Sequence, residues 1–222
     1  MSLPPEYGGS VVIPYVVRAG DHLLKIAARL RFVADEAWNA PENADLRQAR
    51  GSMHILQSGD LLSVPEPTPR RWLRVRIGAV NTFTGTLATM SMKITFVGRG
   101  GPVAGQPCRI RELAWLAGLA TNGQGELTFE APVTLDVATL DLTGMDTSFA
   151  LRIGELDPMA SGSGIWQRLL NLGYLTDIDL ANEDRIELLR QALAHFQWAE
   201  RLESTGDVDS ATIDLLTKRH GC

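Results

Sequence analysis

The sequence predicts a multidomain α+β protein in three parts. These are a βααβ domain over residues 10–66, a β-sandwich middle domain over 70–157 and a three-helix C-terminal domain over 163–222. Three observations carry this reading. Two Gly-Asp turns, Gly20-Asp21 and Gly59-Asp60, bracket helical repeats, with a β-branched run on either side. Short period-two segments then recur from Trp72 to Ile153. Beyond Gly164, apolar residues return at the three- and four-residue spacings of helices.

Each element follows from its residues. Val11-Val12-Ile13 and Tyr15-Val16-Val17 suit a strand. Gly20 permits the next turn, and Asp21 is placed to cap a helix. Leu23, Ile26, Ala27 and Leu30 share one helix face. A second short helix is expected over Ala34 to Asn39, and Leu61 to Val64 forms the returning strand. Three prolines in Pro65-Glu-Pro-Thr-Pro69 mark a stiff hinge and a domain boundary. Trp72 to Ile77, Met90 to Phe96, Leu127 to Phe129, Thr134 to Val137 and Phe149 to Ile153 read as strands, with Thr121 to Gly125 as a turn. In the last part Trp166, Leu169 and Leu170 form one stripe, ended by Gly173. Ile186, Leu189, Leu193 and Phe196 form a second, and Ala211, Leu215 and Leu216 a third with Asp209 or Ser210 as N-cap.

Two ends of the chain resemble known families. Tyr15, Val17, Gly20-Asp21, Leu23, Ile26-Ala27, Gly59-Asp60, Leu62 and Pro65 resemble a LysM domain. That resemblance implies a shallow groove for N-acetylglucosamine-containing glycan, lined by Gly20, Asp21, His22, Leu23, Ile55 and Leu56. His22 stands where the family usually has threonine. Leu169, Leu172-Gly-Tyr174, Leu189, Ala192, Phe196-Gln197, Leu202, Thr205-Gly206, Val208-Asp209, Thr212 and Leu216 resemble the helical peptidoglycan-binding fold. The family's glycine-containing turn is replaced here by Thr176 to Asn182. The middle part, through Thr121 to Phe129, is similar to carboxypeptidase-regulatory-like sandwiches.

Composition bounds the function. With 222 residues and 45% hydrophobic content the chain has material for packed cores. A net charge of −5 provides no electrostatic footprint for nucleic acid or an anionic membrane, so neither is expected as a partner. The two cysteines, Cys108 and Cys222, make no disulfide framework. The first residues lack a basic region followed by an apolar one, so no secretory signal is read and the chain is expected to be cytoplasmic when made.

No catalytic, metal-binding or cofactor-binding motif is found, and the four scattered histidines lack metal-ligand spacing. Cys108 reads as a small buried residue rather than a nucleophile. Trp38, Trp72, Trp115, Trp166 and Trp198 read as packing residues, and Asp21 and Asp60 as turn and cap residues before ligand contacts. The expected function is non-catalytic binding of peptidoglycan or a related glycan. The domain order also resembles accessory proteins of bacterial contractile injection (type VI secretion) systems, which implies an adaptor role for a secreted toxin or spike protein and delivery by a non-Sec route. The alternative is a wall hydrolase with its catalytic centre in the middle domain.

Overall fold

The computed structural model describes residues 12–66, 72–85, 87–176 and 182–221. Val11, the end of the proline hinge, Arg70-Arg71, Asp177 to Ala181 and Cys222 lie outside them. The chain divides into two compact units, one ending at Glu155 and one beginning at Leu156.

The first unit opens with β1 (Val12–Val16), α1 (Leu23–Leu30), α2 (Ala34–Asn39), a 3-10 turn (Pro41–Asn43), α3 (Ala44–Arg50) and β2 (Leu61–Pro65). Strands β1 and β2 pair antiparallel, with Ile13 opposite Val64 and Tyr15 opposite Leu62. The α1 stripe falls as its spacing predicts: Leu23, Ile26 and Ala27 are buried with Trp38, Leu56, Leu62 and Val64. Asp21 does not cap this helix. His22 occupies the N-cap position without a side-chain bond, while Asp21 accepts from Tyr15 Oη at 2.6 Å and Arg18 N at 3.1 Å. The carboxylate thus closes the β1–α1 turn rather than the helix end.

Helix α3 has no apolar stripe in the sequence, and tertiary bonds hold it instead. Arg47 Nη1 donates to the Trp38 carbonyl at 2.6 Å, and Arg50 forms a two-pronged pair with Asp60 at 2.8 and 2.6 Å. Burial alone would raise the Asp60 pKa, but Arg50 and the Gln57 amide outweigh it and hold the carboxyl below its usual range. Buried Asn43 ties the helices to β2, donating to the Ala37 and Ser63 carbonyls and accepting from Ser63 N.

The rest of this unit is β-rich. It contains β3 (Thr89–Thr95), β4 (Val97–Gly98), β5 (Gly101–Pro102), β6 (Cys108–Ile110), β7 (Glu126–Pro132), β8 (Val137–Leu142) and β9 (Thr147–Arg152). Strands β3 and β7 form one antiparallel pair, β4 and β5 another, and β6-β8-β9 a three-stranded sheet. Leu127, Phe129 and Ala131 of β7 share one core with Ile110 of β6 and Ala138, Leu140 and Leu142 of β8. Leu24 of α1 packs against this core as well as its own, so the two predicted N-terminal domains meet inside one unit.

Two expectations fail here. Thr134 lies in a turn, Leu135 and Asp136 have no regular structure, and the strand begins at Val137. More notably, Trp72 to Ile77 form no strand: Trp72 to Arg76 have no regular secondary structure, Ile77 opens a turn, and the segment has no strand partner among the described residues.

The second unit contains α4 (Gly162–Asn171), α5 (Asn182–Ala199) and α6 (Ser210–His220). Ser161 Oγ caps α4 by accepting from Gly164 N at 3.0 Å, and Asp209 caps α6 by accepting from Thr212 N at 2.7 Å. Gly173, just past α4, takes the left-handed φ of 79° that its position demands. Leu169, Leu193, Phe196 and Leu216 form the core. Ile186, expected in the buried stripe, is exposed, and Thr212 rather than Ala211 is buried on α6.

Candidate functional site

The structure brings the two halves of the predicted glycan groove together, because Leu23 N donates to the Met53 carbonyl at 3.1 Å. Asp21, His22, Leu23 and Leu56 are buried, and Gly20 and Ile55 are half-buried. What covers the Gly20–Leu23 side is the β-rich part of the same unit. A Cβ placed on Gly154 would lie 2.9 Å from the Gly20 carbonyl oxygen and 3.2 Å from His22 Cδ2. Lys25 Nζ bridges the Gly20 carbonyl at 3.0 Å and Asp136 Oδ1 at 2.6 Å. A sugar ring has no access to the His22 face in this arrangement. His22, which the LysM resemblance sets in the groove lining, is 4% exposed.

Among the described residues His22 Nε2 has no hydrogen-bond partner, and the Val133 backbone approaches the ring. Burial depresses the His22 pKa below 6.5, and His54 and Lys25 add to this, so the native state holds the neutral ring. An unfolded chain takes up the proton at the ordinary value. Stability is thus fully present above about pH 6.5 and declines as pH falls from there through the lower folded value. Denaturation midpoints at about pH 5.5 and about pH 7.5 will differ in this direction, and His22→Phe will reduce the difference. An unchanged pH dependence in the variant would assign it elsewhere.

In the β-rich part, Asp141 accepts from Arg111 at 2.8 Å, from Ser148 Oγ at 2.7 Å and from Arg109 at 2.8 Å. These bonds, Arg111's first, hold its carboxyl far below the usual range and keep it ionised. Cys108 Sγ donates to the Gln106 carbonyl at 3.2 Å, and burial pushes its pKa up. Both effects suppress the thiolate a nucleophile needs. Among the described residues no group of three or more His, Cys, Asp or Glu is placed to hold a metal ion.

The second unit is organised around Gln197, which is fully buried. Its Oε1 accepts from Gly206 N at 2.8 Å, and its Nε2 donates to the Asp207 carbonyl at 2.8 Å and Thr212 Oγ1 at 3.0 Å. One side chain thereby fixes the end of α5, the following loop and the start of α6. Two surfaces stand on this frame. Trp166, Ile186 and Leu189 line a small apolar hollow, with the Arg185 guanidinium 4.8 Å from the Trp166 ring centroid. Near the end of α5, Trp198 is 70% exposed, and its ring lies 6.2 Å from that of His195. His195 in turn meets Tyr174 edge-on at 5.3 Å. Beside this shelf Arg219 pairs with Glu200 through two bonds of 2.6 Å.

Residues 164–216 match the family "Putative peptidoglycan binding domain". No curated protein and no solved structure matches the chain. The matched stretch takes in the Gln197 knot, the hollow and the Trp198 shelf, so it is the best-supported functional region of the chain. Sequence reasoning singled out Phe196-Gln197 only as fold markers and assigned Trp198 to packing. The available signal was the helix period: Phe196 is buried, and a residue two positions on lies about 200° round the helix. Trp72 and Trp115 are likewise exposed rather than packed, whereas Trp38 is buried as expected.

Proposed function

We propose that this protein binds peptidoglycan through its C-terminal domain without cleaving it, and that Trp198 with His195 and Tyr174 is the contact surface. The family match over residues 164–216 carries the reading. The shelf supports it chemically: aromatic faces stack on the apolar C–H faces of sugar rings, and Trp198 is free to do so because packing does not occupy it. In the same reading residues 12–65 are a LysM-like fold, supported by the antiparallel β1–β2 pair and its enclosed helices, which acts as a structural partner of the β-rich part.

The proposal extends to an accessory role for a toxin or spike protein of a contractile injection system, resting on the order of the three parts. A pull-down returning a spike or toxin protein supports that extension, and one returning only chaperones removes it. For the binding itself, the full chain will pellet with insoluble peptidoglycan above a control protein and release no soluble muropeptides over time. A chain that stays in the supernatant refutes binding, and steady muropeptide release refutes the non-catalytic part.

A further inference from the structure

The segment from Trp72 to Ile77 poses a problem that the proposed function does not absorb. Trp72 is 93% exposed, Leu73 63%, Val75 65% and Ile77 97%. Val80 and Phe83 follow, also exposed. A soluble monomer rarely leaves so many large apolar side chains in one stretch of water-facing chain. Among the described residues, the backbone of 72–77 is hydrogen-bonded only at Arg76, by the side chain of Asn81. The segment alternates: Leu73, Val75 and Ile77 fall on one side of an extended chain, and Trp72, Arg74 and Arg76 on the other. This is a strand in sequence pattern, without a ladder, and it runs into a turn at Ile77.

An edge that fits it exists in the same unit. Strand β7 pairs with β3 alone among the named strands; its far side is closed at Glu126, whose amide donates to Asn122 Oδ1 and whose carbonyl accepts from Asn122 N, while Thr128 to Glu130 have no strand partner there among the described residues. Along β7, Leu127, Phe129 and Ala131 face the core, and Glu126, Thr128 and Glu130 face outward. Glu126 is paired with Lys93 at 2.5 Å, whereas Glu130 has no cationic partner among the described residues. Neither Arg74 nor Arg76 has a carboxylate partner there either. A strand laid on the β7 edge sets its apolar side beside Leu127, Phe129 and Ala131 and its arginines beside Glu130. The opposite edge, β3, presents Lys93 outward and repels the same arginines.

We infer that Trp72–Ile77 is a donated strand that pairs with the β7 edge of a second copy of this chain. Reciprocal donation uses the same two surfaces on each copy, so the contact closes as a two-fold dimer and leaves no unpaired segment. The occupant is a protein edge rather than a lipid surface, because strict alternation and an acidic, open strand specify a ladder and a bilayer specifies neither.

The test is the mass of the full chain in solution, measured by light scattering across a dilution series. Wild type is expected as a dimer. The double variant R74E/R76E, altered at exposed positions, is expected to raise the dissociation constant by about tenfold or more. E130R alone is expected to weaken the dimer in the same direction. Combining E130R with R74E/R76E is expected to restore it, a recovery that misfolding cannot imitate. Three results overturn the inference: a wild-type monomer at all concentrations, a dimer indifferent to the charge reversals, or a monomer that binds vesicles containing anionic phospholipid through this segment.

Discussion

Replacing Gln197 with alanine will destabilise the C-terminal unit by about 3 kcal/mol, among the largest effects expected of a side-chain truncation in this protein. The amide is fully buried and bonds Gly206 N, the Asp207 carbonyl and the Thr212 hydroxyl. Truncation leaves these groups without their partner where water does not replace it, and each orphaned buried group costs about 1–3 kcal/mol. Leucine fills the space but supplies no bonds, so Gln197→Leu will be nearly as damaging. Hydrogen exchange at the Gly206 amide together with the urea midpoint measures both parts of the claim. A loss below about 1 kcal/mol with a still-protected amide would contradict the role given to this side chain.

The second large effect is backbone in origin. Gly125 closes the turn before β7 with φ of 75°, and a Cβ there would lie 2.5 Å from the Phe96 carbonyl oxygen and 3.0 Å from Val103 N. Those are the atoms that bond to each other at 2.9 Å, and Phe96 N also donates to the Gly125 carbonyl. An alanine meets a left-handed conformation that costs about 1–2 kcal/mol and a collision with rigid main chain. Gly125→Ala is expected to cost about 3 kcal/mol or more and to loosen the core shared by Leu127, Phe129 and Leu140. Gly123, two residues earlier in the same turn, has open space at its Cβ position and no positive φ. Gly123→Ala should therefore leave the thermal midpoint almost unchanged. Equal effects at the two glycines would show that turn flexibility, not close approach, explains the loss.

How much of this was readable in the sequence depended on whether a residue's role is local. Helix α1 was legible because Leu23, Ile26, Ala27 and Leu30 repeat at the helical period and three of them are buried. The Asp209 cap was legible for the same reason: donor and acceptor are three residues apart. Helix α3 was not, because only Leu46 of its residues packs on the core and its anchors, Trp38 and Asp60, lie outside it. Trp72 to Ile77 showed the limit of periodicity, which identifies an alternating segment but not whether a strand partner is present.

The candidate sites follow the same rule. The LysM resemblance grouped Gly20, Asp21, His22 and Leu23 with Ile55 and Leu56, and the Leu23–Met53 backbone bond sets the two stretches side by side. It carried no information about Asp136 and Gly154, which cover them from more than a hundred positions along the chain, as the Lys25–Asp136 pair spanning 111 residues illustrates. In the C-terminal domain the family markers and the periodic stripe residues overlap in the sequence, and the exposed Trp198 falls between them. Its opposition to Phe196, which the predicted stripe already set on the packed face, was the signal that the sequence offered.

The central claim is that the C-terminal domain meets peptidoglycan through the Trp198 shelf. Its most direct test is the binding isotherm of the full-length Trp198→Ala protein on insoluble peptidoglycan, with a thermal melt of the same preparation. The account predicts an unchanged melt, since Trp198 is 70% exposed, and binding weakened by about tenfold or more. Wild-type and variant isotherms that superimpose would contradict it.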